Sequence, residues 1–135
     1  MAAITQPLRD EHLELLSHIE ALRTLADSVE EASMRTLQSG LDEAYRFLTH
    51  QLIPHADAED RVFYPVIAKL MGATQSTLTM SRDHVEIDRL TDELRVLRSE
   101  LHNTLTTAQA QALRRLLYGL YTLIKVHLAK EEEIY

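Results

Sequence analysis

The chain has 135 residues, a formal net charge of −7 and a pI near 5.4, a balance that excludes binding to nucleic acid through its phosphates, which needs a basic face. It contains no cysteine, so disulfides, thiolate zinc sites, iron–sulfur clusters and thiol nucleophiles are excluded together. With 45% hydrophobic and 26% charged residues the composition is that of an ordinary globular domain, and one domain over residues 1–135 is expected. No apolar run approaches the roughly 18 residues of a membrane span, and Met1–Leu13 lacks an apolar signal core, so no membrane association and a cytoplasmic location are expected.

Only three Gly and three Pro are present, too few for the turns of an all-β fold, and apolar residues recur at intervals of three and four, which predicts an all-α fold. The first predicted helix is capped near Thr5, carries Pro7 in its first turn and shows the stripe Leu8, Leu15, Ile19 and Leu22. The second runs from about Arg35 to Leu70, bends at Pro54 and Pro65, and stops at Gly72. Its inward face combines Leu48, Leu52 and His55 with Val62 and Val66. The third, from about Ser76 to His102, places His84 on one face with Met80, Ile87, Thr91 and Leu94. The fourth starts after Thr106-Thr107 and aligns Leu116, Leu120 and Leu123 with His127. Short connections make neighbouring helices antiparallel, so the expected architecture is an up-down-up-down four-helix bundle.

An internal repeat runs through these helices. His12 is followed 43 residues later by His55, with Glu59 four beyond; His84 is followed 43 residues later by His127, with Glu131 four beyond. Sliding the chain by 72 also sets Glu11 on Asp83, Leu48 on Leu120 and Asp60 on Glu132, which predicts two halves related by a pseudo-twofold axis. At 1.5 Å per residue, His12, His55, His84 and His127 lie about 30 Å from the turns that join their helices, and so share one level of the bundle. Glu59 and Glu131, four residues past a histidine, stack beside His55 and His127 on the same faces.

Four inward imidazoles and two inward carboxylates in an apolar layer need a charge partner, because buried carboxylates without one cost several kcal/mol. Six donors exceed a four-coordinate site and suit two cations: His12 and His55 on one, His84 and His127 on the other, Glu59 and Glu131 spanning both. Such a count leaves coordination positions open. The donor set fits iron best, with manganese and zinc as alternatives. Asp88, four beyond His84, and Glu132, beside Glu131, are further candidate ligands. His18, His50 and His102 fall off the inward faces or at the far end. Tyr64 is read as a core residue that could reach Glu59 with a hydrogen bond. Leu8, Leu52, Met80, Leu120 and Ile124 are expected to wall the site.

The motifs Asp10-Glu11-His12, Pro54-His55-Ala56-Asp57-Ala58-Glu59-Asp60, Asp83-His84 and His127-Leu128-Ala129-Lys130-Glu131-Glu132 resemble the hemerythrin-like HHE cation-binding family. The resemblance implies a non-haem di-iron centre with His12, His55, His84 and His127 as terminal ligands and Glu59 and Glu131 as bridges. Oxygen-carrying members have a histidine where this chain has Asp88, and a fourth-helix carboxylate one residue after Glu131. The leading expectation is therefore a di-iron binding protein that takes oxygen, nitric oxide or peroxide at open positions for sensing, storage or detoxification. The alternatives are an enzyme with catalase-like or ferroxidase activity, for which no catalytic residue is identifiable, and an interaction bundle stapled by metal. Association into a homo-oligomer is left open.

Overall fold

The computed structural model describes the backbone of residues 2–72 and 77–134 and the side chains of 6–72 and 77–133. Among these residues every regular element is helical: α1 (Ala2–Ser28), α2 (Met34–Phe47), α3 (Ile53–Ala58), α4 (Tyr64–Met71), α5 (Leu78–Glu100) and α6 (Thr107–Ile134). Elements α2, α3 and α4 form one continuous helical rod, because the segments between them, Leu48–Leu52 and Glu59–Phe63, are π-helical turns. The rod packs against α1 and α5, and both of these pack against α6. Four helical segments thus close round one core. No described helix is long and apolar enough to cross a membrane.

Local chemistry sets the helix ends. Ser33 is extended, and its hydroxyl accepts the Thr36 N–H at 3.1 Å to start α2. Thr106 and Gln109 form a reciprocal capping box at the start of α6: Gln109 N–H donates to Thr106 Oγ1 at 3.1 Å, and Thr106 N–H donates to Gln109 Oε1 at 3.0 Å. Gly72 ends α4 with φ +69°, a left-handed conformation that a Cβ would strain. One boundary differs from expectation. Helix α1 begins at Ala2 rather than after Thr5, since Pro7 deletes a single backbone donor and Ala2-Ala3 favour helix. The expected start of the third helix at Ser76 lies outside the described residues, as does the Thr5 side chain.

The π turns also change which face points inward. A proline has no N–H to donate and its ring crowds the carbonyl four residues back. One π turn ends just before Pro54 and the other just before Pro65; in each, the closing N–H reaches back five residues, Ile53 to Leu48 and Tyr64 to Glu59. At both prolines the rod widens into a π turn. Past Glu59 the extra residue rotates the register. Val62 and Val66, expected inside, are 57% and 38% exposed, while Tyr64, Ile67 and Ala68 are buried in their place.

The core is aliphatic and crosses all four segments, with Ile19, Leu41, Leu94, Leu113, Leu120 and Ile124 fully buried. Each such side chain contributes about 1.5–3 kcal/mol through removal from water. Replacing Leu41 by Ala should lower the unfolding free energy by about 2–5 kcal/mol, read as a lower urea midpoint at an unchanged denaturant slope. A loss below about 1 kcal/mol would show that the packing around Leu41 collapses to fill the gap.

Candidate metal centre

Four elements and one π turn deliver six ionisable side chains to one buried point. α1 supplies His12, α3 supplies His55, the π turn after it supplies Glu59, α5 supplies His84, and α6 supplies His127 and Glu131. None is more than 5% exposed, and Glu131 is at 0%. They form two overlapping groups, His12, His55, Glu59 and Glu131, and Glu59, His84, His127 and Glu131, each with donor atoms within 4.8 Å of one another. The two glutamates belong to both groups.

Each glutamate divides its oxygens between the groups. Glu59 Oε2 lies 3.3 Å from His55 Nε2 and 3.7 Å from His12 Nε2, while its Oε1 lies 3.4 Å from His84 Nε2 and 4.0 Å from His127 Nε2. Glu131 Oε1 is 3.2 Å from His12 Nε2, and its Oε2 is 3.3 Å from His127 Nε2. All four imidazoles therefore present Nε2 inward.

Their Nδ1 atoms point outward, each to a carboxylate. His12 Nδ1 donates to Glu132 at 3.1 Å, His55 Nδ1 to Glu11 at 2.7 Å, His84 Nδ1 to Asp60 at 3.0 Å and His127 Nδ1 to Asp83 at 2.9 Å. An ionised carboxylate only accepts, so each Nδ1 carries a hydrogen and each Nε2 is the atom left for the centre. Lys130 backs Asp83 at 2.6 Å, and Ser81 donates to Asp60 at 2.7 Å.

A seventh residue completes the cluster. The Tyr64 hydroxyl donates to Glu131 Oε2 and stands 3.2 Å from His84 Nε2, 3.3 Å from His127 Nε2 and 3.4 Å from Glu59 Oε1. The expected reach of Tyr64 to Glu59 is present, and its contacts with His84, His127 and Glu131 go beyond it: an α-helical register turns a residue five beyond Glu59 well off its face, and the π turn brings it back. Glu11, Asp60 and Asp83 were also missed as histidine partners, although the repeat that sets Glu11 on Asp83 and Asp60 on Glu132 carried the signal. Of the two extra ligand candidates, Asp88 is exposed and in neither group, and Glu132 takes the outward side of His12. His18, His50 and His102 are exposed; His18 stacks on Phe47 and His50 faces the Arg46 carbonyl. Leu8, Leu52, Met80, Leu120 and Ile124, the residues expected to wall the site, are buried.

Cations fit this donor set. His84 Nε2 and His127 Nε2 face each other at 2.9 Å; with both Nδ1 atoms protonated, two lone pairs meet there unless a proton or a metal ion lies between them. His55 Nε2 is buried and makes no hydrogen bond, although a carboxylate oxygen is 3.3 Å away. Metal ions bound to imidazole and carboxylate at about 2.0–2.2 Å set neighbouring donors about 3 Å apart, which is the spacing found here. Fold and site together define a helical protein whose core carries clusters able to bind metal.

The comparisons agree. The family model for the hemerythrin HHE cation binding domain matches residues 3–135, and the chain belongs to that family. Searches of curated proteins and of solved structures returned no match.

Without metal, protons neutralise the cluster. Burial alone would push the imidazoles toward neutrality, but Glu131 and Glu59 outweigh it and raise His12 and His127 from 6.5 to about 10. His55 is raised against burial by Glu59 and Glu11, and His84 by Glu59 and Asp60, with the charge on His127 holding His84 back. The four histidines hold Glu59 well below the usual carboxylate range, again against its burial. His12 and His127 contribute stability that is complete below about pH 6.5 and lost as pH rises through about 10. Glu59 contributes stability present above about pH 4.5 and lost on acidification below it. Metal-free protein should therefore show a thermal midpoint that falls between pH 6.5 and 10, measured by circular dichroism. A midpoint that climbs over that interval would refute the protonated cluster.

Proposed function

We propose that the chain is a non-haem di-iron binding protein that takes a small ligand, oxygen, nitric oxide or peroxide, at its metal centre. His12 and His55 hold one cation, His84 and His127 hold the other, and Glu59 and Glu131 span both. The observation that carries this reading is the division of each glutamate's two oxygens between two histidine pairs. In bound form the cations supply open positions and charge for small oxygen and nitrogen ligands. Everything else is done by this chain's side chains.

The outward carboxylates fix the histidine tautomers so that the inward nitrogens need no reorganisation. Leu8, Leu52, Met80, Leu120 and Ile124 keep bulk water out and strengthen each charge interaction inside. Tyr64, at hydrogen-bond spacing from four other atoms of the His84 group, would offer a further oxygen to a cation held there. A groove of about 440 Å³ whose lining includes His12, Glu132, Arg9, Leu13 and Leu16 gives small molecules an approach from the α1–α6 side. The up-down-up-down topology and the pseudo-twofold relation of the halves belong to the same reading. They are supported by His12 near the start of α1 meeting Glu131 near the end of α6, and by His84 and His127 repeating the His12–His55 spacing. A single domain over 1–135 and a cytoplasmic setting complete it. The mixed imidazole and carboxylate donors fit iron best, with manganese and zinc as alternatives.

Anaerobic titration with ferrous iron, followed by elemental analysis, should give two ions per chain, and oxygen or nitric oxide should then change the near-ultraviolet and visible spectrum stoichiometrically. Glu131→Gln should weaken both ions at least tenfold, since it serves both positions, whereas His55→Ala should spare the His84–His127 ion. Tyr64→Phe should retain two ions and lose any visible phenolate-to-ferric absorption. Binding of one ion or none by the unaltered protein would contradict the reading. Continuous oxygen evolution from peroxide would instead favour the catalase-like alternative.

A further inference from the structure

The four outward hydrogen bonds make a closed circuit. Glu11 on α1 accepts from His55 on α3; Asp60, on the π turn after α3, accepts from His84 on α5; Asp83 on α5 accepts from His127 on α6; Glu132 on α6 accepts from His12 on α1. Each carboxylate is the sequence neighbour of an inner residue: Glu11 of His12, Asp60 of Glu59, Asp83 of His84, Glu132 of Glu131. One residue is about 100° of helical rotation. When the inner side chain points to the centre, its neighbour is aimed at the next helix and meets the histidine there from behind. Every inner imidazole is thereby held between a central glutamate and an outer carboxylate.

We propose that Glu11, Asp60, Asp83 and Glu132 act as positioning residues that set the charge preference of the centre, favouring trivalent over divalent cations. This inference rests on the two-cation reading above. With Glu59 and Glu131 the ring brings six carboxylates around two ions. Lys130 offsets Asp83 and Arg9 lies 3.6 Å from Glu132, but among the described residues Glu11 and Asp60 pair with no lysine or arginine. A negative charge one imidazole away from a metal stabilises the higher oxidation state more than the lower, because the interaction scales with the cation's charge. It also makes each imidazole a stronger donor through its Nδ1 hydrogen bond. The ring contributes both effects at every histidine, and Asp60 contributes them without a cation to cancel its charge.

The test compares iron-loaded wild type with Asp60→Asn and Glu11→Gln, which keep an oxygen acceptor for His84 and His55 but remove one charge each. Asp42→Asn, at the exposed Arg98 ion pair, is the surface control. Iron content is measured alongside the midpoint potential by spectroelectrochemical titration. Both ring variants should keep two irons and shift the ferric-to-ferrous affinity ratio toward the ferrous state by about tenfold, which is about 59 mV upward for a one-electron couple; the control should not move. Unchanged potentials in fully loaded ring variants would overturn the inference and leave the functional reading standing. Wild type that fails to hold two irons would overturn that reading and this inference with it. If Asp60→Asn does not fold, Glu11→Gln decides the matter by the same readout.

Discussion

Two carboxylates buried among four imidazoles are the constraint around which the rest of the protein is arranged. Glu59 and Glu131 keep essentially no contact with water, and an ion in that position is tolerated only when opposite charge and hydrogen bonds surround it. Each helical segment answers that demand with at least one histidine at the right height. The demand also explains why all four imidazoles turn Nε2 inward and Nδ1 outward. A centre that lacked the outer carboxylates would lose the hydrogen bonds that fix each ring's orientation.

Much of this was legible in the sequence. The 72-residue offset that superposes His12 on His84 and Glu59 on Glu131 picked out the six inner residues, and helix periodicity put them on inward faces. The structure brings all six together. What periodicity could not foresee was the π-helical register. Each proline of the second rod follows a five-residue π turn, which periodicity does not reveal. The second turn exchanges Val62 and Val66 for Tyr64 and Ile67 on the inner face. Tyr64 was therefore undervalued for a physical reason: α-helical geometry turns a residue at this spacing away, and only a locally wider helix returns it. The outer carboxylates were hidden differently. Their side chains cross from one helix to the next, and sequence patterning within single helices says nothing about such crossings.

The departures from the oxygen-carrying hemerythrins now have positions. Asp88, standing where those proteins have a histidine, faces solvent rather than the centre. The Tyr64 hydroxyl stands 3.2 Å from His84 Nε2 and 3.3 Å from His127 Nε2, within the His84–His127 group. The two groups are alike in their imidazoles and glutamates. On the functional reading proposed above, the α1–α6 groove, whose lining includes His12, opens on the side of the His12–His55 position.

The most direct test is anomalous diffraction from crystals of the iron-loaded protein, recorded at the iron absorption edge. Two peaks should be found, one between His12 and His55 and one between His84 and His127, each in contact with Glu59 and Glu131. A single peak, or peaks placed away from the two glutamates, would contradict the shared-carboxylate centre.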